Sequence, residues 1–360
     1  MKRRDMFGLA AAGSMAAVAS PAVAQSMPSV KWRCVSSFPK SIPLLWGISE
    51  TIAKAVAETT DGKFQIQPFA AGEIVPALQV MDAVTNGTVE MGHSAAYYYT
   101  GKNAALAFAT HVPFGLNTRQ HNAWIRHGEG ANLVEGLFKK YGIVAIPAGN
   151  TGAQMGGWFR KEVTSVEDLK GLKFRISGLG GLILSRLGVV PQQVAGGDIY
   201  PALERGTIDA AEFNGAYDDE KLGLYKVAPN YHFPGWWDGT SMEHTMIGQA
   251  AWDALPKHYQ AALRSACAVA DVDCLSNYDA LNPPALKRLL GLGVKLRPFP
   301  NEVIEACYKA AMAYYDETSA ANAEFKAFYD SMRRFQADSA PWYQVSEFSY
   351  DSATLRMLRR

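Results

Sequence analysis

Cysteine is scarce in this chain: four of its 360 residues are cysteines, and no two stand in the Cys-x-x-Cys pattern of redox and zinc sites. Cys267 and Cys274 fall in one predicted helix, where their separation is about 10 Å at ~1.5 Å per residue, too far for a disulfide. We therefore expect buried thiols at Cys34, Cys267, Cys274 and Cys307, although an oxidising compartment would permit a disulfide.

The motifs of several enzyme classes are also missing. The chain contains no His-Glu-x-x-His zinc motif and no phosphate loop ending in Gly-Lys-Ser or Gly-Lys-Thr. Residues 92–96 (GHSAA) resemble the Gly-x-Ser-x-Gly turn of hydrolases, but they lack its second glycine. We expect no enzyme, and a secreted α/β hydrolase with Ser94 as nucleophile is the alternative.

Charge of neither sign dominates. The chain has 35 Lys and Arg against 34 Asp and Glu, and removing residues 1–24 leaves 32 against 33. A nucleic-acid partner is therefore not expected. After residue 24 there is no run of 18 apolar residues, so the sequence predicts no membrane-spanning helix.

The N-terminus has the pattern of an export signal. Residues 2–4 (KRR) precede an apolar, alanine-rich run at 6–20, and residues 21–24 (PAVA) provide an Ala-x-Ala cleavage site. The arginine pair also fits a twin-arginine signal, and the Sec route stays open. We predict that residues 1–24 are removed and that the mature chain is periplasmic.

Short strands alternate with helices along the rest of the chain. Residues 30–35 and 64–69 have strand patterns, residues 48–58 between them have helical periodicity, and 256–279 and 302–334 are helical in pattern. This alternation predicts an α/β fold. Roughly 335 mature residues exceed one comfortable core, so we expect two lobes.

One αβ unit occurs twice. Residues 83–93 (AVTNGTVEMGH) resemble residues 202–212 (ALERGTIDAAE), and each reads as a helix closed by glycine and followed by a strand that opens with threonine. In this register His93 lies opposite Glu212, each at the carboxyl end of its strand. The echo predicts two related lobes whose strand ends face one cleft, with chance similarity of a common unit as the alternative.

Arg175 stands at the exit of another predicted strand. Residues 173–176 alternate, so Phe174 and Ile176 would face a core while Arg175 points the other way. Glycine-rich residues follow, and open α/β sheets bind ligands at such strand ends. A guanidinium suits a bidentate grip on a carboxylate, although a solvated arginine on an edge strand has the same spacing.

Five separated motifs together resemble one protein family. They are GNTGAQMGGWF (149–159), GVVPQQ (188–193), GGDIYPAL (196–203), YDDEKLG (217–223) and PGWW (234–237). By these motifs the chain is identified as a member of the DctP family, the solute receptors of tripartite ATP-independent periplasmic (TRAP) transporters. It is most similar to the branch of 2-oxo acid and lactate receptors, over nearly all of the chain after residue 24.

The resemblance implies the fold and its division. We expect a two-lobed α/β solute-binding fold of mixed sheets flanked by helices, with the ligand cleft between the lobes and long C-terminal helices. Residues 25–150 would form lobe 1, completed by about 239–280, and residues 151–238 would form lobe 2, completed by about 281–300. Residues 301–360 would pack across the lobes or form a dimer contact.

The resemblance also implies a substrate site. The carboxylate-binding arginine of the family falls on Arg175. Asn150 and a tyrosine from the run at 97–99 would complete the pocket, and we choose Tyr97 and Tyr99. The expected ligand is a small 2-oxo or 2-hydroxy carboxylate such as pyruvate or lactate.

A metal cation, Na⁺ or Ca²⁺, would bridge ligand and protein. Its ligands by resemblance are Gln154, Glu212 and the backbone carbonyl of Phe213, which also line the substrate pocket. The fourth ligand would be a polar side chain from the strand at 241–244, for which we choose Glu243. Carboxylate, amide and carbonyl oxygens are hard ligands that suit these ions and not zinc. Glu212 would repel a ligand carboxylate, so a cation or proton must lie between them.

The family's role implies the partners. Such receptors deliver their ligand to a membrane permease driven by a sodium gradient. A homodimer through the C-terminal helices is a further expectation. Phe213 stands where branch members often carry tryptophan, so the pocket wall differs from theirs at this position.

Overall fold

The computed structural model of the protein describes residues 27–358, so the predicted export signal lies outside the described residues. The strands are β1 (Val30–Ser36), β2 (Phe64–Phe69), β3 (Met91–Ala95), β4 (Ile143–Asn150), β5 (Gly157–Phe159), β6 (Lys173–Arg175), β7 (Val190–Gln192), β8 (Ala210–Ala211), β9 (Asn230–Phe233), β10 (Met242–Gly248) and β11 (Lys295–Pro298). The helices are α1 (Pro43–Thr59), α2 (Val80–Thr85), α3 (Ala107–Thr110), α4 (Thr118–His127), α5 (Gly130–Lys139), α6 (Gly178–Ser185), α7 (Ile199–Glu204), α8 (Ala216–Leu222), α9 (Gln249–Ala254), α10 (Lys257–Gly291), α11 (Asn301–Ala321), α12 (Ala323–Tyr343) and α13 (Ser349–Leu358).

The first sheet has the strand order β2-β1-β3-β10-β4. Strand β1 is parallel to β2 and β3, whereas β10 is antiparallel to β3 and β4. Both strands predicted near the N-terminus are confirmed. In β1, Trp32 and Cys34 are buried while Lys31 and Arg33 are exposed, because alternate side chains of a strand point to opposite faces.

The second sheet has the strand order β11-β9-β5-β8-β6-β7. Strand β6 is parallel to β7 and β8, β5 is antiparallel to β8 and β9, and β11 is parallel to β9. Both sheets are therefore mixed, and helices pack against them. The α/β fold with two mixed sheets is confirmed.

Three segments carry the chain from one sheet to the other within residues 27–358. Residues 151–156 join β4 to β5, residues 234–241 join β9 to β10, and helix α10 lies between β10 and β11 in the chain. Residues at the first two crossings contribute to the site described below.

Helix α10 is longer than its sequence pattern predicts. It continues beyond residue 279 to Gly291, through Pro283 and Pro284. Each proline removes one helical hydrogen bond, but Ala285 and Leu289 beyond them are buried in the core. Tertiary packing therefore carries the helix past its two prolines.

Residues 302–334, predicted to be one helical stretch, fall on two helices, α11 and α12. The break is at Asn322, whose Oδ1 accepts hydrogen bonds from the backbone N–H groups of Glu324 and Phe325, as an N-cap does. Helix α11 packs against α6, and α12 packs against α4 and α5. The predicted long C-terminal helices are confirmed. None of the helices between residues 27 and 358 is both long and apolar enough to cross a bilayer.

The repeated αβ unit has the same backbone geometry in both copies. Helices α2 and α7 are followed by Gly87 and Gly206, with φ of +70° and +72°, values that favour glycine. The next N–H groups, of Thr88 and Thr207, donate to carbonyls at the equivalent position of each helix, at 2.8 and 3.0 Å. The strands begin three residues later than predicted, at Met91 and Ala210.

Candidate cation and carboxylate site

Arg175 ends strand β6 and is buried, with 2% of the residue exposed. Its Nε donates to the carbonyl of Val194 (3.0 Å), and its Nη1 donates to the carbonyl (2.6 Å) and to Oε1 (2.7 Å) of Glu212. Nη2 takes no part in these hydrogen bonds. The bidentate grip predicted from the sequence needs two guanidinium nitrogens, and Nε and Nη1 already donate to protein atoms. Nη2 is therefore the atom that a ligand carboxylate could reach without displacing Glu212.

Glu212 follows strand β8, which pairs with β6, and is 1% exposed. Its Oε1 accepts hydrogen bonds from Arg175 and from the backbone N–H of Ser177 (3.0 Å). Its Oε2 has no hydrogen-bond partner among the described residues. Burial raises the pKa of Glu212, and the guanidinium opposes this by favouring the charged form.

Phe213 forms a wall of the same corner. The guanidinium carbon of Arg175 lies 5.5 Å from the centroid of the Phe213 ring, a distance suited to a cation–π contact. The ring packs against Gly196, where a Cβ would approach it to 2.7 Å, so that close contact requires glycine. The Phe213 carbonyl, predicted as a cation ligand, follows Glu212 directly in the chain.

Glu243 lies in strand β10 of the first sheet, whereas Arg175 and Glu212 lie at strands of the second sheet. It is 2% exposed, and its Oε1 accepts a hydrogen bond from the Ser241 hydroxyl (3.0 Å). Its Oε2 has no partner, and no basic side chain within residues 27–358 forms a salt bridge with it. Burial raises the pKa of Glu243 to about 8.

Asn150 ends strand β4, and its orientation is fixed by hydrogen bonds. Oδ1 accepts from the backbone N–H of Gly152 (2.9 Å) and from the Thr240 hydroxyl (2.8 Å). Nδ2 is left without a partner in the described part of the chain. Gly149 before it has φ of +115°, and a Cβ there would lie 2.4 Å from Ile48 Cδ1, so this backbone requires glycine.

Gln154 lies in the first crossing between the sheets. Its Nε2 donates to the Thr151 hydroxyl (3.2 Å), while its Oε1 is buried without a partner in the described range. Backbone hydrogen bonds connect this crossing to two other segments of the site. Gln154 N–H donates to the Asp238 carbonyl (3.0 Å), and Met155 N–H donates to the Asn214 carbonyl (3.0 Å), two residues after Glu212.

The three consecutive tyrosines divide between the site and the core. Tyr99 accepts a hydrogen bond from the backbone N–H of Met81 (3.2 Å) and its hydroxyl contacts that of Ser94 (2.9 Å), so it belongs to the interior around the first sheet. Burial raises the pKa of Tyr97 and Tyr98, and the carboxylates of the site raise it further. These core hydrogen bonds of Tyr99 are the reason to propose Tyr98 beside the predicted Tyr97 and Tyr99 as a pocket residue.

The unpaired atoms of the site fall into two kinds. Three are oxygens that can only accept or coordinate when the two carboxyl groups are ionised: Gln154 Oε1, Glu212 Oε2 and Glu243 Oε2. The other is a donor, the N–H of Asn150 Nδ2. The oxygens fit a hard cation and the donor fits an anion, so the donor set agrees with the cation predicted from the resemblance.

No group of three or more His, Cys, Asp or Glu suited to a metal occurs within residues 27–358. The predicted cation set contains only two carboxylates, with an amide and a carbonyl oxygen completing it. A cleft of about 680 Å³ adjoins the site, lined by Ser37 and Leu78 from one side and by Gln193 and Val194 from the other. Val194 also accepts the hydrogen bond from Arg175 Nε.

His93 and Ser94, two polar residues singled out in the sequence, are buried in the interior around the first sheet. His93, the counterpart of Glu212 in the repeat, places Nε2 3.0 Å from the Ala148 carbonyl, in the interior. Ser94 receives a hydrogen bond from the Ser37 hydroxyl (2.7 Å), and within the described range it has no histidine partner. Among the described residues, Ser94 therefore has no base hydrogen-bonded to it as a nucleophile would require. All four cysteines are free and buried, as expected.

Sequence reasoning missed Asp238 in the second crossing. Its charge acts on the pKa values of Tyr97, Glu212 and Glu243, raising each of them. Its Oδ1 lies 3.6 Å from Nδ1 of His111. The signal in the sequence is its position directly after the PGWW motif, at a crossing between the sheets.

Known protein families and solved structures agree with the family predicted from the five motifs. The profile of the bacterial extracellular solute-binding proteins, family 7 (DctP), matches residues 37–322. The chain belongs to this family. A monocarboxylate 2-oxoacid-binding periplasmic protein from Nostoc sp. is 48% identical over 98% of both chains.

Two solved DctP-family structures resemble the fold closely. A TRAP transporter solute-binding protein from Bordetella bronchiseptica, a dimer with calcium and picolinate in one active site, is 51% identical with a TM-score of 0.91, over 92% of this chain and 99% of that one. A second, from Pseudoalteromonas atlantica with sodium and pyruvate, is 37% identical with a TM-score of 0.88, over 90% and 99%. The predicted family and fold are confirmed.

Proposed function

We propose that this DctP-family protein is a periplasmic receptor for a small 2-oxo or 2-hydroxy carboxylate, which it binds together with a metal cation. It delivers the ligand to the membrane permease of a TRAP transporter and carries out no reaction of its own. The relatives that bind 2-oxo acids, pyruvate and picolinate support this ligand class, since each ligand places an oxygen or nitrogen beside a carboxylate.

One observation carries the proposal: among the described residues, three buried oxygens and one buried donor of the candidate site residues have no hydrogen-bond partner. Leaving a buried polar atom unpaired costs about 1–3 kcal/mol, so several together call for a ligand. The cation would contact Gln154, Glu212, Glu243 and the Phe213 carbonyl. The ligand carboxylate would accept from Arg175 Nη2 and Asn150 Nδ2, beside Tyr97 and Tyr98.

The chemistry of this set limits the ion and the affinity. Hard oxygen ligands select Na⁺ or Ca²⁺, and relatives hold one or the other. Bound there, the cation would neutralise the unpaired carboxylate oxygens and attract the 2-oxo group. Two or three charge-assisted hydrogen bonds at ~1.5–3 kcal/mol each, with the ion, reach ~8 kcal/mol, which corresponds to micromolar binding.

The division into lobes supports opening and closing around the ligand. We propose lobe 1 as residues 25–150 with about 239–280, and lobe 2 as residues 151–238 with about 281–300. The Gln193 amide donates to the Tyr98 carbonyl (3.0 Å) and bridges the two parts. An opening at this contact would expose the buried site to the periplasm.

We further propose that two copies associate through the C-terminal helices. Trp342, Phe348, Tyr350 and Leu358 are each at least 66% exposed near the end of the described chain, and the Bordetella relative is a dimer. Light scattering should give the mass of a dimer. Replacing Trp342 and Phe348 by serine should give a monomer that still binds pyruvate.

A thermal-shift panel tests the receptor function. The mature protein is mixed with pyruvate, lactate, picolinate, 2-oxoisovalerate or succinate, each with sodium, calcium or a chelator. A ligand at a hundred times its dissociation constant should add about 2.7 kcal/mol of stability. Stabilisation by a 2-oxo acid that the chelator or sodium removal abolishes supports the proposal, and no shift with any acid contradicts it.

The hydrolase alternative has its own measurement. Ester turnover that Ser94→Ala abolishes would favour it, whereas reversible saturable binding without turnover favours the receptor. The hydrogen bonds of Ser94 with Ser37 and Tyr99 support the receptor, because they assign its hydroxyl a structural role.

A further inference from the structure

Two buried histidines near the site differ in what their rings contact. The rings of His111 and His121 lie 6.2 Å apart, and both residues are at most 3% exposed. His121 places Nε2 3.1 Å from the Phe108 carbonyl, and its Nδ1 has no partner in the described range. His111 places Nδ1 3.0 Å from the Trp237 carbonyl and Nε2 2.8 Å from the Leu116 carbonyl.

The two contacts of His111 require two N–H groups. A carbonyl oxygen can only accept, and a neutral imidazole carries a single N–H, so its second nitrogen would point a lone pair at an oxygen. Only the imidazolium donates from both nitrogens. One N–H satisfies the single carbonyl at His121, which therefore fits a neutral ring.

We propose that His111 is a buried imidazolium that positions residues 234–241, the second crossing between the sheets, beside the ligand site. Asp238, with Oδ1 3.6 Å from Nδ1, supplies the opposite charge. The crossing in turn orients three site residues. The Asp238 carbonyl accepts from Gln154 N–H (3.0 Å), and Thr240 and Ser241 donate to Asn150 (2.8 Å) and Glu243 (3.0 Å).

Close packing around the His111 ring restricts it to this orientation. A Cβ at Gly115 or Gly239 would lie 3.4 Å from Nε2, so backbone packs closely on this edge. The titratable groups that face His111 are Asp238 from the crossing and His121 from α4. Its charge opposes the burial that raises the pKa of Asp238, and it lowers the pKa of His121 further after burial has lowered it.

Nitrogen NMR of the histidine side chains tests the charge directly. On ¹⁵N-labelled mature protein at pH 7.5, without ligand, both His111 nitrogens should have the chemical shift of protonated imidazolium nitrogens. His121 should show one protonated and one bare nitrogen. Signals are assigned by their loss in His111→Gln and His121→Gln. A bare-nitrogen shift at His111 would overturn the proposal, whatever ligand the protein binds.

A double-mutant cycle tests the positioning role. His111→Gln should lower the melting temperature, because Asp238 loses its counter-charge, and should weaken calcium-dependent pyruvate binding about tenfold without direct ligand contact. Adding Asp238→Asn should recover part of the lost stability. If the double variant is less stable than His111→Gln alone, the charge pairing is wrong. Should His111→Gln fail to fold, the His111 ring nitrogens are assigned in the unmodified protein by through-bond correlation to the residue's own backbone, and their shifts still decide.

Discussion

Glu212 and Glu243 are two buried glutamates of the proposed site, and they differ in their partners. Glu212, on the second sheet, shares Oε1 with Arg175 and the Ser177 backbone. Glu243, on the first sheet, has the Ser241 hydroxyl alone as partner in the described range. Each keeps one oxygen unpaired.

We call the side of the site that each sheet contributes a wall. The difference between the two glutamates predicts different roles for the two walls in binding. The wall of the second sheet carries its own positive charge, so it is close to neutral before any ligand binds. The wall of the first sheet has no such charge, and ionised Glu243 in the interior is unfavourable until a cation arrives. We therefore expect cation binding to depend most on Glu243 and anion binding to depend most on Arg175.

Removing Arg175 should have the largest effect. Arg175→Met should lower pyruvate affinity more than about hundredfold, beyond ~2.7 kcal/mol, because the positive charge facing the carboxylate is lost. Loss of one partner also leaves Glu212 buried and unpaired, at about 3–5 kcal/mol of stability. Titration calorimetry with pyruvate and calcium measures the binding.

The control for this variant is Arg175→Met combined with Glu212→Gln. It should recover stability without recovering affinity, since the buried charge is gone but the anion partner is still missing. Affinity near that of the unmodified protein in the single variant would remove Arg175 from the site.

Neutralising Glu243 should separate the two walls. Glu243→Gln should lower calcium content and pyruvate affinity together, by about tenfold or more, because it removes the charge that most needs the cation. Elemental analysis and calorimetry measure both quantities. The matched control is surface Glu90→Gln, whose partner is Arg33. Unchanged metal content in Glu243→Gln would end the bridging-cation proposal.

The pH dependence of stability should reveal the titration of Glu243 in the absence of ligand. The pKa of Glu243 is raised to about 8, above ~4.3 in the unfolded chain. Its stabilising contribution is therefore present below about pH 4.3 and is lost as pH rises through about 8, at about 1.4 kcal/mol per pH unit between ~5 and ~8. In a chelator, Glu243→Gln should gain stability over the unmodified protein as pH rises from 5.5 to 8.

Buried histidines act in the opposite direction. Burial lowers the pKa of His121 and His244 to about 3, so their contribution is lost as pH falls below ~6.5. Both proteins share this loss, and their difference isolates Glu243. Parallel stability profiles over this pH range would mean that Glu243 is not a buried titrating group.

The smallest effect should separate two neighbouring tyrosines. Tyr98→Phe should weaken pyruvate binding by about 1 kcal/mol, near fivefold, through loss of one hydroxyl hydrogen bond in the site. Tyr99→Phe should leave affinity unchanged and lower stability, because its hydroxyl bonds with Ser94 and Met81 in the core. Calorimetry and thermal melts distinguish them, and a binding defect in Tyr99→Phe alone would reverse the assignment.

Local patterns predicted the elements whose causes are local. The alternation in β1 and the glycine at each repeated helix end determine backbone geometry within a few residues, so these predictions were confirmed. The break at Asn322 was missed although its signal is also local, an asparagine with glutamate two residues later. The end of α10 was predicted too early, at residue 279. The helix continues through Pro283 and Pro284, because packing of Ala285 and Leu289 outweighs the lost hydrogen bonds.

The sequence by itself determined the family, the α/β class, and the presence of Arg175 and Glu212 at strand ends, since motif and period are properties of neighbouring residues. Only the tertiary structure decided that Glu212 accepts a hydrogen bond from Arg175 Nη1 and that Asp238 meets His111. These contacts join residues from 37 to 127 positions apart in the chain. Distances and unpaired atoms exist only once two sheets enclose a common interior, where the lack of water makes each missing partner costly.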